Sequence, residues 1–228
     1  LYKYYKAFGL FDKTNSGLPG ESSSRFHDLD KVGSVELATM SFGQRFTITP
    51  LQMITAISAI ANNGNLLQPK IVKSMTNTDT GEVTNFDTTK IRQVLSTQTA
   101  NQVKSMMKSV VTDGTGKNAQ VKGQIIAGKT GTTNDYKDAW FCGYSRYYTT
   151  SVWVGCDDPK PMDNLTGSSY PSKIFSDYMT KVHKGKMKKD FKMPDTVYRK
   201  DGDLFSKDID DTLHETVLEN ILKEQIKK

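Results

Sequence analysis

Gly128-Lys129-Thr130-Gly131-Thr132 is the part of this 228-residue chain where residue type and order point most directly at chemistry. Lys129 and Thr130 put an ammonium beside a hydroxyl, and together they can hold a carboxylate through charge-assisted hydrogen bonds. Gly131 leaves the backbone bare where a reacting group must come close, and the backbone N–H of Thr132 can face a developing oxyanion. On an edge strand, such a segment also offers open main-chain hydrogen bonds along which an extended peptide can lie. The plainer alternative is a surface strand with a solvated lysine, because a Lys-Thr-Gly triplet alone is a weak pattern.

A second candidate involves Cys142 and Cys156, the two cysteines of the chain. Two are too few for a disulfide framework at this length. Both fall on strand candidates expected to be antiparallel neighbours. If the hairpin register puts them on one face, they form a diagonal pair within reach of one metal ion; a shift by one residue separates them. His27, with Asp28 or another carboxylate, would then complete a structural zinc site. Two buried thiols and a disulfide are the competing readings. His183 and His214 read as exposed helix residues.

The elements that must position these groups follow from patterning. A composition of 36% hydrophobic, 25% charged and 10% aromatic residues is that of a globular protein. No stretch approaches the ~18 consecutive apolar residues that cross a bilayer, and the first residues lack the apolar core of a signal peptide. The formal net charge is +6, and its excess crowds Lys181, Lys184, Lys186, Lys188, Lys189 and Lys192. Without interleaved aromatics this run does not read as a nucleic-acid site; it is a solvated face, or one that lies near anionic lipid or polymer.

The opening to about Arg45, rich in Gly, Ser and Asp, reads as a long connecting region. Thr49-Pro50-Leu51-Gln52 starts a helix with a capping box and proline at the first helical position; Met53, Ile54, Ile57 and Ile60 are its expected buried stripe, and Gly64 ends it. Residues 66–95 read as a small hairpin turning at Asn77–Gly81. Val103, Met106, Met107 and Val110 mark a second helix that stops at Gly114-Thr115-Gly116. Three strands follow, over 124–133, 139–144 and 151–156, then a helix over 171–182. The fold class is α/β (α+β), with a mostly antiparallel sheet covered by helices on both faces. Two units are expected: residues 1–195, and an appended amphipathic helical extension over 196–228 carrying Ile209, Leu213, Val217, Ile221 and Leu222.

Around the triplet, three further runs carry a resemblance: Thr39-Met40-Ser41-Phe42-Gly43-Gln44, Thr47 through Met53, and Ala59-Ile60-Ala61-Asn62-Asn63-Gly64. Together with Gly128–Thr132 and Asp138-Ala139-Trp140-Phe141, they resemble the transpeptidase domain of high-molecular-weight penicillin-binding proteins, over roughly residues 1–195. Phe8-Gly9 to Ser22 and Ser41–Gln44 look like the class B type, while Thr132–Phe141 is similar to class A. The resemblance implies a partial penicillin-binding transpeptidase or serine β-lactamase-like fold. It also implies D,D-transpeptidation of peptidoglycan stem peptides through a serine acyl-enzyme. Lys129, Thr130, Gly131 and Thr132 would be the substrate-binding residues, β-lactams would be ligands, and no cofactor would be required for the chemistry.

In the family a Ser-x-x-Lys nucleophile motif and a Ser-x-Asn motif precede the triplet. Ser105-Met106-Met107-Lys108 matches the first by letter, but it lies too close to Lys129 and on the wrong helix; Ser-x-Asn does not occur. The nucleophile is therefore expected outside this chain. The other expected partners are the N-terminal remainder of the same protein and cell-wall synthesis proteins, and no nucleic acid. The expected setting is the outer face of the cytoplasmic membrane, with the anchor outside this chain. A non-catalytic β-lactam-binding sensor and a serine β-lactamase are the rival readings.

Overall fold

A computed structural model describes residues 1–200 and 203–207. In chain order the helices are α1 (Tyr2–Ala7), α2 (Ser34–Ser41), α3 (Pro50–Ala61), α4 (Thr97–Thr112) and α5 (Tyr170–Val182). The strands are β1 (Asn65–Leu67), β2 (Ser74–Thr76), β3 (Val83–Asn85), β4 (Lys90–Gln93), β5 (Ala127–Thr132), β6 (Asp138–Tyr144), β7 (Thr149–Gly155), β8 (Val197–Lys200) and β9 (Asp203–Ser206).

The central sheet is antiparallel with strand order β5-β6-β7. Side chains alternate across it. Phe141 and Val152 pack with Phe175 and Met179 of α5 on one face. On the other, Ala127 and Tyr144 meet Ile57 and Ile60 of α3. α4 runs beside β5 and joins the two clusters through Val111 and Met107. Helices thus cover both faces, as the sequence implied.

α3 begins where its cap dictates. Thr49 Oγ1 accepts from the Gln52 N–H at 3.1 Å, and Gln52 Oε1 accepts from the Thr49 N–H at 2.8 Å. Its buried stripe differs from the expected one: Gln52, Ala56 and Ala59 face inward, and Met53 and Ile57 are half-buried. The reason is that Gln52 carries its amide inside, donating to the carbonyls of Leu10 (3.2 Å) and Asp12 (2.8 Å). Gly64 follows at φ +85, and a Cβ there would sit 2.1 Å from the Leu95 carbonyl oxygen, so only glycine fits.

The surface hairpin forms as expected from β2 and β3. Four other expectations change. The opening is not merely a connection, because α1 and α2 lie within it. Aromatic packing holds them: Tyr5 meets Phe26 and Phe46 at 5.7 and 5.5 Å, and its hydroxyl donates to the Met40 carbonyl. The extension from residue 196 opens as the β8–β9 hairpin rather than as helix; its helical periodicity from Ile209 to Leu222 lies outside the described residues, as does His214. His183 is buried, not exposed. Its Nδ1 bonds the Met179 carbonyl and its Nε2 the Ser145 hydroxyl at 2.8 Å, tying the end of α5 to the β6–β7 turn. The fourth change, at the cysteines, is taken up below. Among the described residues, no helix is long and apolar enough to cross a membrane.

Candidate functional site

β5 lies at the edge of its sheet, and among the described residues no strand pairs on its outer side. The ladder sets Lys129 against Cys142 and Gly131 against Trp140, which in turn pairs with Trp153. By alternation, Lys129, Gly131, Trp140 and Cys142 therefore share the face that looks toward the start of α3. Between that face and α3 opens a cavity of about 420 Å³. Its walls are mostly apolar, from Phe42, Phe46, Ile48, Met53, Ile57, Trp140 and Trp153, with Lys129, Thr130, Thr132 and Asp138 along the sheet side.

Lys129 is exposed, and its Nζ donates to the Thr130 carbonyl at 2.9 Å. It has no carboxylate partner among the described residues. Asp138, the acidic side chain lining the same cavity, accepts instead from Trp153 Nε1 at 2.9 Å. Thr130 and Thr132 alternate to the other side of the strand. The Thr130 hydroxyl shares a 2.8 Å bond with that of Thr115, and Thr132 Oγ1 accepts from the Gly167 N–H at 3.1 Å.

Two neighbours of this strand were not singled out from sequence. Gly114-Thr115-Gly116 reads there only as a helix break, yet the turn after α4 delivers Thr115 to Thr130. Gly167 lies so close that a Cβ would fall 2.3 Å from the Trp140 carbonyl oxygen and 2.6 Å from that of Gly131. Its Leu-Thr-Gly-Ser surroundings carry no signal of that contact, which is made by tertiary approach.

Ser105 and Lys108 are both committed elsewhere. Ser105 Oγ donates to the Asn101 carbonyl within α4, and Lys108 Nζ pairs with Asp190 at 2.7 Å. They are not a nucleophile–base pair, which agrees with setting that motif aside.

The zinc expectation for His27, Cys142 and Cys156 is corrected. Cys142 pairs with Ser151, whereas Cys156 follows Gly155, which pairs with Asp138 at the far end of β6. Cys156 is thus five residues past Cys142's partner, roughly 17 Å at ~3.4 Å per residue, and the odd offset puts the two on opposite faces. Neither one ion nor a disulfide spans that distance, and both cysteines are free. Burial also pushes the Cys142 thiol up to about 11. Among the described residues, no group of three or more His, Cys, Asp or Glu side chains is placed to hold a metal.

Comparison with known proteins adds to this geometry. The family model for the penicillin binding protein transpeptidase domain matches residues 1–180. Stage V sporulation protein D of Bacillus subtilis is 38% identical over 160 residues, covering 70% of this chain and 25% of that protein. Penicillin-binding protein 1A of Aquifex aeolicus is 37% identical over 191 residues, covering 82% of this chain and 25% of that protein. Among solved structures, penicillin binding protein 3 of Mycobacterium tuberculosis, in complex with aztreonam, superposes with a TM-score of 0.69 at 28% identity; the match covers 81% of this chain and 45% of that one. The chain therefore spans about a quarter of the length of these curated relatives and about half of the solved chain.

Proposed function

The chain belongs to the penicillin-binding protein transpeptidase domain family, and on that footing we propose that it supplies the substrate-binding strand of a D,D-transpeptidase that cross-links peptidoglycan stem peptides. The observation that carries this reading is Lys129 itself: a cation on an open sheet edge, facing a cavity, with no described carboxylate to neutralise it.

The donor peptide lies extended along β5 and uses its free main-chain groups. Its terminal carboxylate sits at the open edge of the strand, where Lys129 Nζ, which reaches round to the Thr130 carbonyl, meets it from the cavity side and Thr130 Oγ1 from the other. Thr115 makes the second contact possible: either hydroxyl of the shared Thr115–Thr130 bond can be its donor, and with Thr115 as donor the Thr130 proton is free for the ligand. Gly131 presents no side chain to the acyl group, and the Thr132 N–H donates to the carbonyl oxygen as it gains negative charge. A serine supplied from outside this chain attacks the penultimate D-Ala carbonyl. The C–N bond breaks, and D-Ala departs with the serine proton. The amine of a neighbouring stem peptide then attacks the ester, forms the cross-linking amide and returns a proton to the serine. No cofactor enters these steps. β-Lactams use the same carboxylate grip and acylate the same serine. The apolar cavity beside Lys129 accepts the N-terminal remainder that carries this serine. The setting is the outer face of the cytoplasmic membrane, with an anchor outside this chain and other cell-wall synthesis proteins as partners.

The test is to co-express this chain with the segment that carries the Ser-x-x-Lys and Ser-x-Asn motifs and to follow labelling by a fluorescent penicillin. Stable labelling together with stem-peptide cross-linking is expected. Lys129→Ala should slow labelling about 10- to 100-fold, the worth of one hydrogen bond to a charged group. Unchanged labelling in that variant overturns the role of Lys129. Rapid release of the label would mark a β-lactamase, and stable labelling without cross-linking a sensor.

A further inference from the structure

We propose that the lysine-rich segment from the last turn of α5 through the loop after it is a docking face for an anionic lipid surface. This does not depend on the transpeptidase reading. Lys181, Lys184, Lys186, Lys188, Lys189 and Lys192 are all exposed. The acid within that run, Asp190, is already held by Lys108 at 2.7 Å, and none of the six lysines pairs with a described carboxylate.

The loop is fastened in place rather than loosely solvated. Gln124 Nε2 donates to the Lys186 carbonyl and the Tyr147 hydroxyl to that of Met187, both at 3.0 Å. Phe191 is buried against Tyr144 with ring centroids 5.5 Å apart. The ammonium groups of Lys186 and Lys189 sit 5.7 and 4.8 Å from the centre of the Tyr147 ring. Like charges are thereby gathered around the β6–β7 turn, next to Arg146, and their mutual repulsion is relieved by an anionic counter-surface.

The choice between lipid and a soluble polyanion comes from the apolar residues among these cations. Met187, between Lys186 and Lys188, is 76% exposed, and Met193 is 49% exposed. A soluble polyanion gives such side chains nothing to enter, whereas the boundary of a bilayer takes apolar side chains while the headgroups meet the lysines.

The experiment is co-sedimentation of the full chain with vesicles of phosphatidylcholine containing about one third phosphatidylglycerol, against pure phosphatidylcholine and with soluble polyphosphate as competitor. Binding is expected to the anionic vesicles alone and to fall steeply as salt is raised. Removing Lys184, Lys186 and Lys188 together by substitution with serine should weaken it roughly fivefold per lysine. Met187→Gln, an exposed change that leaves the charge untouched, should weaken it severalfold, with circular dichroism verifying the fold of each variant. Equal binding to neutral vesicles, or no effect of the lysine substitutions, overturns the proposal. So does polyphosphate binding as tight as vesicle binding with Met187→Gln silent, which would assign the face to a soluble polyanion.

Discussion

At the scale of single residues, a strand divides labour by parity. Lys129 and Gly131 look into the cavity while the hydroxyls of Thr130 and Thr132 turn to the strand's other side, where Thr115 and Gly167 hold them. That alternation is legible from the order Lys-Thr-Gly-Thr alone; the identity of the holding groups is not, because Thr115 and Gly167 reach the strand through turns with no local pattern. Parity also decides the cysteines, and there the sequence was silent, since the loop between β6 and β7 admits more than one register. The observed register leaves Cys142 buried and alone. In the folded chain, iodoacetamide at pH 8 is therefore expected to modify half-buried Cys156 and spare Cys142, as read by peptide mass mapping. The pH dependence has a definite sign. The folded thiol holds its proton to about 11 against an ordinary 9.0, so the unfolded chain ionises first and stability falls as pH rises through that window. At about 1.4 kcal/mol per pH unit, the loss approaches roughly 3 kcal/mol. Burial also raises Tyr144 and adds to the alkaline loss. Comparing Cys142→Ala with the parent chain isolates the cysteine: the variant's denaturation midpoint should fall less between pH 9 and 11, and identical curves would refute the assignment.

At the scale of elements, legibility follows how local the stabilising interactions are. α3, α4, α5 and the three strands of the central sheet announce themselves by caps, apolar spacing or breaking glycines within a few residues. α1 and α2 do not. They have six and eight residues, too short to persist on propensity, and contacts such as Tyr5 with Phe26, Phe46 and Met40 hold them from a distance. Lys104 is a similar case. It is 2% exposed inside α4, with its Nζ donating to Asn63 and Asn101, so it binds α4 to the turn that follows α3. Gln52 shows how a local signal and a tertiary one meet in one side chain. Thr49→Ala removes only the cap and should cost about 1 kcal/mol. Gln52→Ala removes the reciprocal cap bond and also strands the Leu10 and Asp12 carbonyls, which should cost roughly 2–4 kcal/mol. Urea denaturation of the two variants measures the difference; equal costs would mean that the Gln52 amide does not fasten the opening segment to α3.

At the scale of the whole molecule, the sheet with helices on both faces could be read from the alternation of elements, while the cavity between β5 and α3 could not, because it arises from how the two are held apart. Its walls are unusual for a surface: Phe42 is 66% exposed and Trp153 36%, beside Trp140, Met53 and Ile57. Apolar area of this kind is left open to water at a cost of about 25 cal/mol per Å² relative to burial, so whatever fills the cavity is held chiefly by the hydrophobic effect, and by Lys129 at its rim. The chain contains two tryptophans, and both line this space. Intrinsic fluorescence is therefore a reporter confined to the site. If the N-terminal remainder carrying the nucleophile seats here, adding it to this chain should shift tryptophan emission to shorter wavelength, displace an apolar dye and raise the melting temperature, all with one saturation curve. Trp140→Phe and Trp153→Phe should each remove part of the shift, since the two rings lie 6.2 Å apart and share the same wall. An emission spectrum that stays fixed while penicillin labelling appears would mean that the serine reaches Lys129 by another route and that the cavity belongs to a different occupant.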